Sequence, residues 1–271
     1  MPELPEVETT LRGIAPHTLG QRVTACVVRN GRLRWPVPED LHSLLSGQTL
    51  LELKRRGKYL LLRFESGHVL WHLGMSGSLR ILEVAAAPGK HDHVDVLFAN
   101  GRCLRFNDPR RFGAVLWTPD SLDEHPLLKH LGPEPLSPSF TVDYLLGNAK
   151  RHSLSCKPWV MDAKVVVGVG NIYANEALFA AGIHPLKPAN KLTRPQLTRL
   201  VLQIQSILRH AIERGGTTLR DFVGGDGKPG YFAQELKAYG RGGKPCVNCG
   251  KPLMEKRLAQ RSTVYCTLCQ R

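Results

Sequence analysis

Two groups of residues have types and spacings suited to chemistry. The first is the start of the chain, Met1-Pro2-Glu3-Leu4-Pro5-Glu6. An initiator methionine followed by proline is a substrate for removal, which would leave Pro2 with a free secondary amine. An α-amino group titrates near ~7.7–8.0, well below the ~10.4 of lysine, so more of it is unprotonated at neutral pH. A secondary amine that attacks a sugar C1′ forms an iminium directly, a covalent intermediate and electron sink. Glu3 and Glu6 stand within one turn of it, as carboxyl groups that can protonate a sugar oxygen or move protons. The same Pro-Glu pairs are also ordinary helix-start residues. The second group is Cys246-x2-Cys249-x16-Cys266-x2-Cys269. Two CxxC turns at hairpin tips offer four thiolates to one metal, which predicts one structural zinc ion; two redox pairs or two disulfides are the alternatives. Cys26, Cys103 and Cys156 stand apart and read as small buried hydrophobes.

Other patterns carry less. His91 and His93 flank Asp92, but alternation on a strand explains them better than a metal site. No Ser/His/Asp or HExxH pattern is visible, and Gly168-Val169-Gly170 lacks the third glycine of a dinucleotide fingerprint.

The elements that must hold these groups are legible in outline. Residues 5–14 read as a short helix opened by proline. Strand-like runs follow at Arg22–Val28, Thr49–Leu53, Tyr59–Phe64, Val69–Leu73, Leu79–Val84, Val94–Phe98, Cys103–Phe106 and Val115–Trp117, which predicts an antiparallel sandwich or barrel. Gly132-Pro133-Glu134-Pro135-Leu136-Ser137-Pro138-Ser139 reads as a stiff linker. Beyond it the period becomes helical. A helix is expected from Asn171 through Glu176 to Ala181. Another carries Leu197, Leu200, Val201, Ile204, Ile207, Leu208, Ala211 and Ile212 on one face. Thr193 with Gln196 caps the second, and Gly215-Gly216 ends it.

The chain has 271 residues, 37 Lys and Arg against 23 Asp and Glu, and a net charge of +14. Residues 1–150 contribute 18 − 16 = +2 and residues 151–271 contribute 19 − 7 = +12, so the C-terminal part is the polyanion-binding candidate. Hydrophobic content of 42% excludes wholesale disorder. The most apolar run, Lys164 to Tyr173, is far short of the ~20 residues that span a bilayer. The acidic start has neither the basic nor the apolar part of a signal peptide, and an odd total of seven cysteines argues against a disulfide framework. A cytoplasmic protein is expected.

Many separate motifs, in one order along essentially the whole chain, match a known family. They are Pro2–Glu6, Gly57-Lys58-Tyr59, His72-Leu73-Gly74-Met75-Ser76-Gly77, Asp108–Gly113, Gly168–Glu176, Gly215–Thr218, Asp226–Gly230, Tyr239-Gly240-Arg241 and the cysteine quartet with Gln260-Arg261. On these the chain resembles bacterial formamidopyrimidine-DNA glycosylase. The resemblance implies an α+β multidomain fold. A β-sandwich with flanking helices (1–131) would be joined by a linker (132–149) to a helix–two-turn–helix domain (150–240) and a zinc finger (241–271), with DNA between the domains. It implies base-excision repair by a glycosylase and AP lyase acting on duplex DNA that contains 8-oxoguanine or formamidopyrimidines, with β- and δ-elimination of the strand. In this reading Pro2 is the nucleophile, Glu3 the acid/base beside it, Glu6 a supporting carboxylate, and Lys58 a phosphate contact that assists base removal and elimination. His72, Lys157, Asn171 and Arg261 would grip phosphates around the everted nucleotide. Met75, Arg110 and Phe112 would fill the hole it leaves. Thr217–Tyr239, with Gly224, Gly225, Gly227 and Gly230, would be a mobile loop over the flipped base. The nucleoid of a bacterial cytoplasm and a monomeric state are expected.

Two alternatives stand beside this. The endonuclease VIII group shares the terminal proline and zinc finger but prefers oxidised pyrimidines; Leu4 and the intact Asp108–Gly113 segment favour the purine group. A non-catalytic zinc-finger DNA-binding protein is disfavoured because Pro2, Glu3, Glu6 and Lys58 are all present.

Overall fold

The computed structural model describes residues 2–217 and 231–271. The glycines expected in the loop over the base, Gly224, Gly225, Gly227 and Gly230, lie outside the described residues, as does Met1. Two compact units emerge: residues 1–129 with 214–231, and residues 130–213 with 232–271.

The first unit opens with α1 (Leu4–Thr18), longer at its C-terminal end than the sequence suggests. Eight strands follow: β1 (Val23–Val28), β2 (Glu52–Arg56), β3 (Tyr59–Arg63), β4 (His68–His72), β5 (Ser78–Glu83), β6 (Asp92–Phe98), β7 (Arg102–Asn107) and β8 (Ala114–Thr118); a short α2 (Leu41–Leu45) lies between β1 and β2. They form two four-stranded antiparallel sheets, in the orders β2-β3-β4-β8 and β1-β6-β7-β5. Seven of the eight predicted runs match strands to within two residues; the run expected at Thr49–Leu53 is strand only from Glu52, and β2 continues to Arg56. Leu60, Leu62, Val69, Trp71 and Val115 of one sheet share a core with Val23, Val94, Val96, Phe98, Leu104 and Phe106 of the other. Val7 and Ile14 of α1 join that core, and α1 touches strands of both sheets. The start of α1 is therefore anchored by apolar packing.

The second unit contains α3 (Val142–Ala149), α4 (Cys156–Val160), α5 (Asn171–Ala181), α6 (Arg194–Glu213) and a hairpin of β9 (Met254–Leu258) and β10 (Arg261–Tyr265). The stretch expected as a linker, 132–149, is not one throughout. Thr141 Oγ1 accepts from the Tyr144 N–H and starts α3, which buries Leu145 and Ala149, while the Gly132 N–H donates to the Ala163 carbonyl. Three prolines stiffen the approach, but the amphipathic run after them has a face to bury. α5 is buried nearly all round, as a central helix is. α6 starts where expected, with the Thr193 N–H donating to Gln196 Oε1 at 3.1 Å. No helix among the described residues is long and apolar enough to cross a membrane.

Candidate active site and nucleic-acid interface

Pro2 is buried immediately before α1, and Glu3 and Glu6 are 3% and 2% exposed. Carboxylates are almost never that buried without partners. Glu6 has several. Its Oε2 accepts from the Glu3 N–H at 2.8 Å, and its Oε1 accepts from the Thr217 N–H and hydroxyl at 2.8 and 2.9 Å. Glu6 thus fixes the backbone beside Pro2 and also fixes Thr217. Gly216 makes this approach feasible: its φ is +79°, and a Cβ there would lie 3.0 Å from Glu6 Oε1.

Lys58 follows the tight turn at Gly57, at the head of β3. Its strand neighbour Tyr59 pairs with His72 of β4, and the two rings lie 4.9 Å apart. Burial, then the Lys58 ammonium, then Arg34 push the His72 pKa down to about 4. The Gly74 N–H donates to His72 Nδ1 at 3.0 Å. A neutral ring that accepts at Nδ1 carries its proton on Nε2, so His72 offers a donor without a full charge.

Met75 and Phe112 sit on two turns that one carboxylate joins. Asp108, fully buried, accepts from the Ser76 hydroxyl at 2.8 Å and from the Gly113 N–H at 2.8 Å. Ser76 Oγ in turn accepts from the Arg110 N–H at 3.2 Å. The turns touch so closely that a Cβ on Gly74 would fall 2.4 Å from the Phe112 carbonyl carbon. Phe112 is 44% exposed, and the Arg110 guanidinium lies over its ring at 4.8 Å. An exposed apolar ring held by a rigid turn with a fixed guanidinium is suited to insertion between bases. His93, at 4% exposure, places Nε2 2.8 Å from the Asp108 carbonyl and supports this turn.

In the second unit, Asn171 begins α5 and Arg261 begins β10, where it is exposed. Lys157 is 1% exposed, and its ammonium donates to Asn171 Oδ1, the Ser262 carbonyl and Thr263 Oγ1 at 2.6, 2.8 and 2.8 Å. An ammonium has three donors and all three are engaged here, which positions Asn171 and the strand that begins with Arg261. Asn175 adds to this tie: its Nδ2 donates to the Asn171 carbonyl at 2.7 Å and its Oδ1 accepts from the Val264 N–H at 2.8 Å. The hairpin turns at Ala259 and Gln260, both at positive φ (47° and 60°), which aims Arg261 from a tight two-residue loop.

Glu176, also buried, accepts from the N–H groups of Lys237, Ala238 and Tyr239 at 2.9, 2.9 and 2.8 Å. The sequence reading had no role for Asp108, Ser76, Asn175 or Glu176 individually. Their positions inside dense motifs were the available signal.

The four cysteine sulfurs of Cys246, Cys249, Cys266 and Cys269 lie within 4.8 Å of one another, with Cys246–Cys269 at 4.0 Å and Cys249–Cys266 at 3.5 Å. A tetrahedron with Zn–S bonds of about 2.3 Å has edges of roughly 3.8 Å, so this set fits one zinc ion and no further ligand. Such a closed site is structural. The other three cysteines are buried, and desolvation pushes the Cys26 and Cys156 thiols up to about 12, away from thiolate chemistry.

Comparison with known proteins agrees with this geometry. The formamidopyrimidine-DNA glycosylase N-terminal domain matches residues 1–115, the H2TH domain of the same enzyme matches residues 131–223, and the zinc finger found in FPG and IleRS matches residues 243–271. The formamidopyrimidine-DNA glycosylase of Saccharophagus degradans is 63% identical over all of both chains. The crystal structure of the MutM (Fpg) protein of Thermus thermophilus superposes with a TM-score of 0.89 at 39% identity, covering 99% of this chain and 98% of that one. The Lactococcus lactis enzyme, crystallised with DNA containing N7-benzyl-Fapy-dG, gives 0.92 at 33% identity over the full length of both. With three family domains in order and an identity this high end to end, the chain belongs to the formamidopyrimidine-DNA glycosylase family.

Proposed function

We propose that the base-excision activity of this glycosylase and AP lyase runs through Pro2 and is directed at oxidised purines, 8-oxoguanine and formamidopyrimidines, in duplex DNA. The observation that carries the reading is the placement of Pro2 before a buried helix start where Glu3 and Glu6 are both enclosed. The positive end of α1 disfavours a proton on the adjacent imino nitrogen once Met1 is removed. That nitrogen attacks C1′ and the C1′–base bond breaks, the base leaving with a proton; protonation of O4′ by Glu3 then opens the C1′–O4′ bond, which turns the C1′–nitrogen bond into an iminium. Glu3 supplies and recovers the protons at the sugar. The resulting iminium acidifies C2′, and loss of that proton expels the 3′-phosphate; a second elimination expels the 5′-phosphate. Glu6 holds the Glu3 backbone in place.

C1′ is out of reach while the base is stacked, so the nucleotide is everted at a cost of a few kcal/mol. Met75 and Phe112 fill the gap, and Arg110 offers donors to the orphaned cytosine, whose edge carries acceptors. Lys58, the Nε2–H of His72, Asn171 at the start of α5 and Arg261 hold phosphates. Zinc bound by the four cysteines keeps the Arg261 hairpin folded and takes no part in the bond changes. We place the enzyme in the bacterial cytoplasm, at the nucleoid, as a monomer.

The test is strand cleavage of duplexes carrying 8-oxoguanine opposite cytosine or thymine glycol opposite adenine. Faster cleavage of the purine lesion supports the assignment; preference for thymine glycol supports an endonuclease VIII-like specificity instead.

A further inference from the structure

The face of the first unit that carries Lys58 and His72 holds another cation that the mechanism has not used. Arg34 lies in the connection after β1 and is exposed. Its N–H donates to the Gly113 carbonyl at 3.1 Å, which ties it to the turn that presents Phe112. Its guanidinium lies 4.7 Å from the centre of the Trp35 ring. Among the described residues no carboxylate pairs with it, whereas Arg29 and Arg55 of the same unit pair with Asp95 and Glu8.

We propose that Arg34 is a further DNA-binding residue, which grips a backbone phosphate beside the Phe112 turn together with Lys58 and His72. This rests on the reading of that face given above. A guanidinium stacked on an indole keeps its edge N–H groups available, and their fork matches two phosphate oxygens. Stacking also limits the side-chain freedom lost on binding. The positive charge of Arg34 reaches His72 and Tyr59 as well as its own ring partner. A phosphate on this face would meet the Arg34 cation and the uncharged Nε2–H donor of His72 together.

The experiment is a salt titration of affinity, by fluorescence anisotropy, for a duplex containing a tetrahydrofuran abasic analogue that the enzyme cannot cleave. Wild type, Arg34→Ala, Arg34→Gln, Arg34→Lys and Lys58→Ala are compared, with thermal melts confirming folding. Loss of one phosphate contact lowers the slope of log K against log salt by about 0.9. Arg34→Ala and Arg34→Gln are expected to show that loss together with a several-fold weaker Kd at low salt. Arg34→Lys should keep the slope and recover part of the affinity. Weaker binding at an unchanged slope would mean that Arg34 acts only through the Gly113 turn and would overturn the assignment. If Lys58→Ala shifts the slope and the Arg34 variants do not, the inference about Arg34 fails alone. If none of them shifts it, the reading of this face as a DNA surface fails with it.

Discussion

At the scale of single residues, buried polar groups carry most of the information. Lys157, which the family resemblance places at a phosphate, is fully buried, as lysines seldom are without partners. Its three acceptors come from α5 and from β10, more than a hundred residues away, and only folding brings them together. Lys157→Met keeps the volume but leaves Asn171 Oδ1, the Ser262 carbonyl and Thr263 Oγ1 without their donor. The expected loss is about 2–4 kcal/mol of stability by denaturant titration, together with weaker DNA binding. His72 supports a pH prediction. Its folded pKa of about 4 lies below the ordinary 6.5, so the unfolded chain binds more protons between these values. Its contribution to stability is complete above pH 6.5 and is lost as the pH falls towards 4. Chemical denaturation at several pH values should show this fall, and His72→Gln should remove that part of it.

At the scale of elements, the decisive devices join segments that are distant in sequence. The strands were legible as short apolar runs broken by turn residues, and α6 because its apolar residues recur at helical spacing. The joint between the Met75 and Phe112 turns was not, since the Asp108–Ser76 bond spans 32 residues and nothing local announces it. The tie from Glu6 to Thr217 spans 211 residues. Asp108→Asn substitutes an amide that cannot accept from both the Ser76 hydroxyl and the Gly113 N–H through charged oxygens. The turns should loosen at a cost of about 1–3 kcal/mol. Discrimination between cytosine and adenine opposite the lesion should weaken, read from single-turnover rates on the two duplexes. The helix that follows the prolines, Val142–Ala149, was hidden for a similar reason: prolines mark where a chain is stiff, and the helix after them declares itself only through what it packs against.

At the scale of the whole molecule, charge and metal set the terms of DNA binding. The cysteine spacing was sufficient to read the zinc site because two CxxC turns leave little else to do with four thiolates. The hairpin around it has a small core, Phe179, Ala238, Leu253 and Val264 with the cysteines, too small to stand without the metal. Cys249→Ser, or exhaustive chelation, should release zinc, unfold the hairpin and weaken DNA binding by an order of magnitude or more, while the β-sheet signal in circular dichroism persists. Of the net charge of +14, residues 151–271 hold +12, so affinity for any duplex should decline steeply with salt.

Every step of the proposed chemistry starts from the imino nitrogen of Pro2. The most direct measurement is borohydride reduction of the enzyme mixed with an 8-oxoguanine duplex, followed by peptide mapping of the conjugate by mass spectrometry. The account predicts a single covalent adduct on the N-terminal peptide, at Pro2 with Met1 removed, and no adduct with Pro2→Gly under conditions where that variant still binds DNA. An adduct on any lysine in the wild-type protein, or efficient strand cleavage with none trapped, would contradict it.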